Sequence, residues 1–150
     1  MKNLYHNYNM SDKKLFEEIK KKLLEQKRSD EDIALIEKAY NFAKKLHDGQ
    51  FRISEEPYII HPVEVANILT DLKADVSTII AAFLHDTLED TDTEPETIRK
   101  LFGDDVLSLV QGVTKLGKLQ FKSNEERQAE NFRRLFIAMA NDIRVIFLKL

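Results

Sequence analysis

Apolar and polar positions repeat with the period of an α-helix along most of the chain, beginning near the N-terminus. The segment "SDKKLFEEIKKKLLEQK" predicts an amphipathic helix within residues 1–28. Its expected apolar face consists of Leu15, Ile19, Leu23 and Leu24. A second helix is predicted between Ser29 and Gly49, because Ser29 and Asp32 stand in capping-box register and Gly49 is a typical stop.

The same period continues through the middle of the chain. Pro62 suits the first turn of a helix in "HPVEVANILTDL". Ser77 is the expected cap of the apolar segment "STIIAAFLHD", and Thr93 with Glu96 forms a second capping box next to Pro95. Gly103 is an expected stop, and further helices are predicted from Asp104 to about Leu116 and from Asn124 to about Asn141.

One segment, "QFRISEEPYII", alternates instead and contains a proline, which predicts a loop or a short hairpin. With only four glycines and three prolines, the chain has too few turn residues for an all-β fold. The predicted fold class is therefore all-α, a multi-helix bundle with at most a short hairpin near residues 51–60.

Composition narrows the class of protein. A length of 150 residues fits a single domain, and a net charge of −3 gives no sign of a nucleic-acid-binding surface. The absence of cysteine excludes disulfides and thiolate metal ligands. No run approaches the ~20 apolar residues of a membrane span. We therefore expect a cytoplasmic protein that binds neither DNA directly nor a membrane.

The C-terminal segment "DIRVIFLKL" is an apolar run with neither a cap nor a polar close. Complete domains seldom end in the middle of such a pattern. We therefore expect residues 1–150 to be a single domain from a longer chain, truncated at its C-terminal end.

The candidate chemistry lies where the apolar helix meets "HDTLED". Buried ionisable groups are costly unless they are paired, hydrogen-bonded or bound to a metal. If one helix continues here, His85 lies below Glu89 and Asp86 below Asp90, because residues four apart nearly eclipse. Imidazole and carboxylate ligands suit Mn, Fe or Zn. His61, at the start of another helix, is placed to point into a cleft.

Other interpretations of these residues stay open. Glu89 and Asp90 would also suit a solvated helix end, and His61 a capping or core position. For His47, late in the second helix, a structural or exposed position is favoured over one in the site. The segment "GVTKLGKL" spells the start of a phosphate-binding loop, but Leu119 replaces the required Ser or Thr and the preceding residues predict a helix. We therefore reject that loop.

Four segments, in order, resemble the hydrolase domain of the RelA/SpoT homologues, which make and degrade guanosine tetra- and pentaphosphate, (p)ppGpp. The segments are "AYNFAKKLHDGQFRISEEPYIIHPVEVANIL", "AAFLHDTLEDTD", "LFGDDVLSLVQGVTKL" and "QAENFRRLFIAMANDIRVIFLKL". The resemblance runs from about Ala39 to Leu150. It implies the all-α bundle of the HD phosphohydrolases, named after the His-Asp pair.

The resemblance implies roles for particular residues. The His of "YIIHP" and the His-Asp of "FLHD" match the family's metal ligands, which implies that His61, His85 and Asp86 bind one Mn²⁺. The "ED" that follows matches its catalytic acid/base pair, here Glu89 and Asp90.

Substrate contacts are implied for Arg52, Ser54 and Lys115. The guanidinium of Arg52 is expected to stack on the guanine base. Ile53 stands where relatives usually have lysine, so one phosphate contact is in question. For Lys115 a solvated helix position is an equal alternative.

The resemblance also places a fourth metal ligand, an Asp, and a nucleotide-binding Asn after Leu150. A site of three ligands binds a metal less well than the full set, which leaves the activity of these 150 residues alone an open question.

The implied function is Mn²⁺-dependent hydrolysis of the 3′-pyrophosphate of (p)ppGpp to GDP or GTP and pyrophosphate, within the stringent response. The alternative is a hydrolase-inactive regulatory or nucleotide-binding HD domain of a (p)ppGpp synthetase, a GTP pyrophosphokinase. Intact His-Asp and Glu-Asp pairs favour the enzyme, and an HD hydrolase of another nucleotide is a third option. The expected partner is the guanine nucleotide, with ribosomal or regulatory partners only through other regions of a parent chain.

Overall fold

A computed structural model describes residues 2–51, 57–117 and 148, with residues 2–11 and 115–117 described by their backbone alone. The described residues form seven α-helices, and their only β-type pairing is one isolated antiparallel bridge between Phe51 and Pro57. The predictions of an all-α fold and of at most a short hairpin are confirmed. The helices are α1 (Lys2–Glu25), α2 (Asp30–Leu46), α3 (Ile60–Asp71), α4 (Val76–Leu84), α5 (Thr87–Asp90), α6 (Pro95–Phe102) and α7 (Asp104–Gly117).

Helix α4 lies at the centre of the core. All seven residues from Thr78 to Leu84 are buried, because α4 packs against α2, α3 and α7. The ring of Phe83 meets the rings of Phe16 and Tyr40 edge-on, at centroid distances of 6.1 and 6.0 Å. Burying one large apolar side chain stabilises a fold by ~1.5–3 kcal/mol. The buried helix α4 therefore anchors the residue that follows it, His85, to the core.

Helix α1 packs against α3 and α2. Ile19 and Leu23 are fully buried as predicted, but Leu24 is 56% exposed, so its predicted place on the apolar face is wrong. Consecutive helical residues are ~100° apart, and only one of two neighbouring leucines faces the core here. The buried face instead continues through Phe16 and the carboxylate of Asp12.

The helix ends follow the predictions in part. The Ser29 hydroxyl accepts a hydrogen bond from the Asp32 N–H, at 3.1 Å, as expected of a cap. Ser77, however, lies inside α4, whose N-cap is Asp75. The extended backbone of Asp75 and its hydrogen bond from the Thr78 hydroxyl place the helix start two residues earlier than predicted.

Helix α6 is capped by Glu94 rather than by Thr93. Pro95 occupies the first helical position, where its missing N–H costs nothing, and the residue before it then becomes the cap. Gly103, at φ +96°, ends the helix at the predicted glycine, in a backbone conformation that glycine adopts easily.

Helix α7 begins at the predicted residue and continues through residues 112–117, the described part of the segment that spells the start of a phosphate-binding loop; the helix there agrees with rejection of that loop. The helix predicted over 124–141 lies outside the described residues. Of the final segment only Leu148 is described; it is helical and buried. Among the helices that the structure describes, none is both long and apolar enough to cross a membrane.

Candidate metal centre and acid/base site

The chain breaks its helix at the His-Asp pair. Helix α4 ends at Leu84 and α5 begins at Thr87, so the expectation of one continuous helix through Asp90 is wrong. Side chains explain the break, because they take carbonyls that a continuing helix would use. His85 Nδ1 lies 2.6 Å from the Ala82 carbonyl oxygen, and Thr87 donates to the Leu84 carbonyl at 2.7 Å.

His85 is held in a defined orientation by this contact. Its side chain is buried, and a carbonyl oxygen can only accept, so Nδ1 carries the proton. In the neutral imidazole the lone pair is then on Nε2, which lies 3.0 Å from a carboxylate oxygen of Asp86. A metal-ligating histidine usually donates its other ring N–H to an acceptor, as Nδ1 of His85 does to the Ala82 carbonyl.

His61 completes a group of three possible ligands. It lies in the first turn of α3, and its ring meets that of His85 edge-on, at a centroid distance of 5.3 Å and an interplanar angle of 69°. Ligand atoms of His61, His85 and Asp86 all lie within 4.8 Å of one another. Adjacent ligands of an octahedral ion at ~2.0–2.1 Å stand ~2.9 Å apart, and opposite ones ~4.1 Å.

The arrangement thus fits a shared cation. An ion pair alone would account for His85 and Asp86, and a shared cation would also account for the His61 nitrogen that lies within 4.8 Å of both. The three residues that the sequence predicted as ligands are brought together by two separate helices and the turn after one of them.

Glu89 and Asp90 project from the short helix α5 next to this group. Carboxylate oxygens of Asp86, Glu89 and Asp90 also lie within 4.8 Å of one another, so Asp86 belongs to both clusters. Glu89 and Asp90 are exposed. An accessible carboxylate beside a cation site is able to orient a water molecule and accept its proton.

Tyr58 is a neighbour of this pair that the sequence reasoning missed. Its hydroxyl donates a hydrogen bond to the Asp90 carboxylate. Burial, followed by this hydrogen bond and the negative charges of Asp86 and Asp90, raises the pKa of Tyr58 well above its usual value. The phenol therefore stays protonated and remains a donor. Its place three residues before His61 in "YIIHP" was the available signal.

Gln50 and His47 are further neighbours of Tyr58 and Asp90. The Gln50 side chain donates to the main-chain carbonyl of Asp90 at 3.3 Å. His47 is buried, as a structural residue should be, and its ring stacks on that of Tyr58 at 4.6 Å and 23°. Its Nδ1 lies 3.0 Å from Gln50 Oε1, while its buried Nε2 has no hydrogen-bond partner among the residues that the structure describes.

A cleft of about 800 Å³ opens beside the acid pair. Its volume is in the range of ~300–1,000 Å³ typical of small-molecule sites. Its lining comes from the end of α2, from Gln50, from α5 and from the start of α6: Phe42, Lys45, Leu46, Gln50, Glu89, Asp90, Thr91, Asp92, Thr93, Glu94 and Thr97. Four of these lining residues are acidic and Lys45 is the only cation among them, so the charged groups of the wall are mainly acidic.

The predicted substrate contacts lie outside the residues whose side chains the structure describes. Arg52 and Ser54 lie outside the described residues. Lys115 lies in α7, with only its backbone described. The base of the segment that carries Arg52 and Ser54 is closed by the Phe51–Pro57 bridge and by the Tyr58 N–H, which donates to the Gln50 carbonyl at 3.0 Å.

The HD domain family model matches residues 39–150. The chain belongs to this family, whose name refers to the His-Asp pair found here at the end of α4.

Several curated relatives are RelA/SpoT proteins, which confirms the resemblance seen in the sequence. A probable guanosine-3′,5′-bis(diphosphate) 3′-pyrophosphohydrolase of Synechocystis is 59% identical over 116 residues, 77% of this chain and 15% of the relative. The bifunctional (p)ppGpp synthase/hydrolase SpoT of Escherichia coli K12 is 47% identical over 136 residues, 91% of this chain and 19% of the relative. A GTP pyrophosphokinase of Myxococcus xanthus is 52% identical over 128 residues, 83% of this chain and 17% of the relative.

A solved structure gives the same result for the fold. It is that of a metazoan SpoT orthologue described as hydrolysing ppGpp and acting in starvation responses. It matches with a TM-score of 0.60 and 32% identity, covering 77% of this chain and 64% of the other. The chain spans 15–19% of the length of the three curated relatives named above.

Proposed function

We propose that this chain is a Mn²⁺-dependent (p)ppGpp 3′-pyrophosphohydrolase domain, which converts ppGpp or pppGpp and water to GDP or GTP and pyrophosphate. One observation carries the proposal. Ligand atoms of His61, His85 and Asp86 converge within 4.8 Å, with the Glu89 and Asp90 carboxylates directly beside them. Relatives named for this reaction support the choice of substrate.

His61, His85 and Asp86 would hold the cation, one per domain. Two imidazoles and a carboxylate suit a divalent first-row metal, and further oxygen ligands favour Mn²⁺. When bound, such an ion favours deprotonation of water near neutral pH and offsets negative charge on phosphate oxygens.

Glu89 or Asp90 then serves as the acid/base. Water adds to the phosphorus bonded to the 3′ oxygen, the 3′ O–P bond breaks, and pyrophosphate leaves the nucleotide. One carboxylate accepts the proton of the attacking water, and the 3′ oxygen of the product gains a proton. Such proton transfer by a positioned side chain contributes ~10²–10⁴-fold in rate.

The substrate carries several negative charges, whereas the cleft wall is mainly acidic. Binding therefore requires compensating positive charge. Besides the cation, we assign this to Arg52, which would stack on the guanine, with Ser54 beside it and Lys115 towards the pyrophosphate. A cytoplasmic location is part of the same proposal.

Product analysis tests the proposal. We expect pyrophosphate release from ppGpp with Mn²⁺, loss of that release on chelation, and a fall of ~10²–10⁴ in kcat for Glu89→Ala. The 150-residue chain and a form extended beyond Leu150 are compared, because the resemblance places a fourth ligand there. Absence of release from the extended form would refute the hydrolase.

A hydrolase-inactive nucleotide-binding domain is the second candidate, favoured by the similarity to a GTP pyrophosphokinase. It predicts that ppGpp binds with unchanged affinity in Glu89→Ala and is recovered intact from the wild-type protein. The hydrolase predicts intact recovery from the variant alone.

A further inference from the structure

We propose that Tyr58, Gln50 and His47 form a positioning group for Asp90, one of the two carboxylates of the acid/base pair in the proposed hydrolase. The inference rests on the proposed function and assigns this group no direct contact with substrate. Asp90 is exposed at the end of a four-residue helix, where a carboxylate on its own would sample several orientations. A general base needs one orientation towards the reacting water.

Tyr58 fixes the side chain of Asp90. The phenol donates to Oδ2 and thereby directs the other oxygen, Oδ1, away from the phenol. A neutral donor gives this orientation without adding a counter-charge that would weaken Asp90 as a base. Tyr58 itself comes from the segment before α3, so the contact joins two parts of the chain 32 residues apart.

Gln50 fixes the main chain of the same residue. Its amide N–H donates to the Asp90 carbonyl, which lies at the C-terminal end of α5, where helix carbonyls lack intrahelical partners. Side chain and backbone of Asp90 are thus each held by a different residue. A contact that served only to close the cleft wall would not require both.

His47 contacts both Tyr58 and Gln50. Its ring stacks on Tyr58, and its Nδ1 donates to Gln50, whose amide oxygen is then occupied while the amide N–H points to Asp90. Within the described parts of the chain the buried Nε2 has no hydrogen-bond partner, and a buried polar atom left in that state would cost stability. An apolar side chain would fill this space without that cost, so packing alone does not explain a histidine here.

The same residues flank the segment that contains Arg52 and Ser54. Gln50 and Tyr58 lie directly outside the Phe51–Pro57 bridge and are joined by a main-chain hydrogen bond. The base of the proposed guanine-binding segment and the acid/base carboxylate are therefore held by one group of side chains.

The test is Tyr58→Phe, which removes the hydroxyl and keeps the ring that stacks on His47. We expect kcat for pyrophosphate release to fall ~10–100-fold, as is typical for a residue that orients a reacting group. KM should stay unchanged, and kcat is compared at saturating Mn²⁺ because the Tyr58 hydroxyl also interacts with Asp86. In an Asp90→Asn background the same substitution should have no further effect, because its target is already gone. His47→Phe should lower kcat less, since it retains the stack and loses only the bond to Gln50.

Tyr40→Phe is the matched control, because it removes a buried hydroxyl that bonds to Asp12, outside the proposed site, and should leave kcat unchanged. Unchanged kcat in Tyr58→Phe would overturn the proposal, as would a fall that persists fully in Asp90→Asn or is explained by weaker Mn²⁺ binding. Unchanged kcat in His47→Phe would overturn the part assigned to His47.

If the wild-type chain released no pyrophosphate, the proposed function would fail, and crystal structures would decide the positioning separately. Displaced or multiple Asp90 conformers in Tyr58→Phe support the inference, and an unmoved Asp90 overturns it.

Discussion

Replacing Tyr40 by phenylalanine tests how helix α1 is fastened to the core. The Tyr40 hydroxyl donates to the Asp12 carboxylate at 2.6 Å, and Lys44 Nζ lies 3.0 Å from the same oxygen. Asp12 is 1% exposed, so water cannot replace a lost donor. The ring of Tyr40 stacks on Phe16 at 4.2 Å and 6°, and phenylalanine retains this contact.

The magnitude follows from the bond that is removed. A hydrogen bond to a charged group contributes ~1.5–3 kcal/mol, and the ring's packing is conserved. We therefore expect Tyr40→Phe to lower the free energy of unfolding by ~1.5–3 kcal/mol. Asp12→Ala should cost at least as much, because it removes the carboxylate that both Tyr40 and Lys44 use.

Urea denaturation followed by far-UV circular dichroism gives both values, and constant m-values show that stability alone has changed. The double variant should lose less than the sum of the two single variants, by ~0.5–3 kcal/mol, since both remove the same bond. Additive losses, or a loss below ~0.5 kcal/mol in Tyr40→Phe, would refute the reasoning, because ordinary surface substitutions have effects of that size.

Three further predictions concern pH, the core and the helix break. Burial and the bonded Asp12 raise the pKa of Tyr40 above its ordinary value of 10.0. The protonated hydroxyl therefore contributes its full stabilisation below pH 10, and the free energy of unfolding should fall above pH 10 by up to ~1.4 kcal/mol per pH unit, as measured by urea titration. Tyr40→Phe should remove this pH-dependent part of the stability. Phe83→Ala should cost ~3–5 kcal/mol in the same assay, whereas Ile68→Ala, at a 59% exposed position, should stay within ~0.5 kcal/mol; equal losses would contradict the assigned core. Thr87→Val removes the hydrogen bond to the Leu84 carbonyl and should lower the free energy of unfolding by ~0.5–1.5 kcal/mol. It should also weaken Mn²⁺ binding, measured by calorimetry. Unchanged Mn²⁺ affinity would show that this hydrogen bond does not position the turn.

Helical periodicity predicted the elements well because it reports local burial. Ile19 and Leu23 are buried where the pattern placed them, and α7 begins at the predicted Asp104. The pattern could not separate Leu23 from Leu24, because the choice between adjacent leucines depends on how α1 packs against α3. Nor could it choose between Ser77 and Asp75 as a cap, because both residue types are good caps.

The site was predictable where residue type alone selects the chemistry. His61, His85 and Asp86 are ligand types in a recognisable motif, and the fold brings them together. The break after Leu84 was not predictable, because it depends on the His85 and Thr87 side chains bonding to the preceding turn. Tyr58 escaped notice since its partner, Asp90, is 32 residues away in sequence.

Anomalous scattering at the manganese edge, from crystals grown with MnCl₂, tests the central claim most directly. The account predicts one strong peak per chain, within coordination distance of imidazole nitrogens of His61 and His85 and a carboxylate oxygen of Asp86. The peak should vanish in His85→Ala. A peak coordinated elsewhere, or the same peak in the variant, would contradict the account.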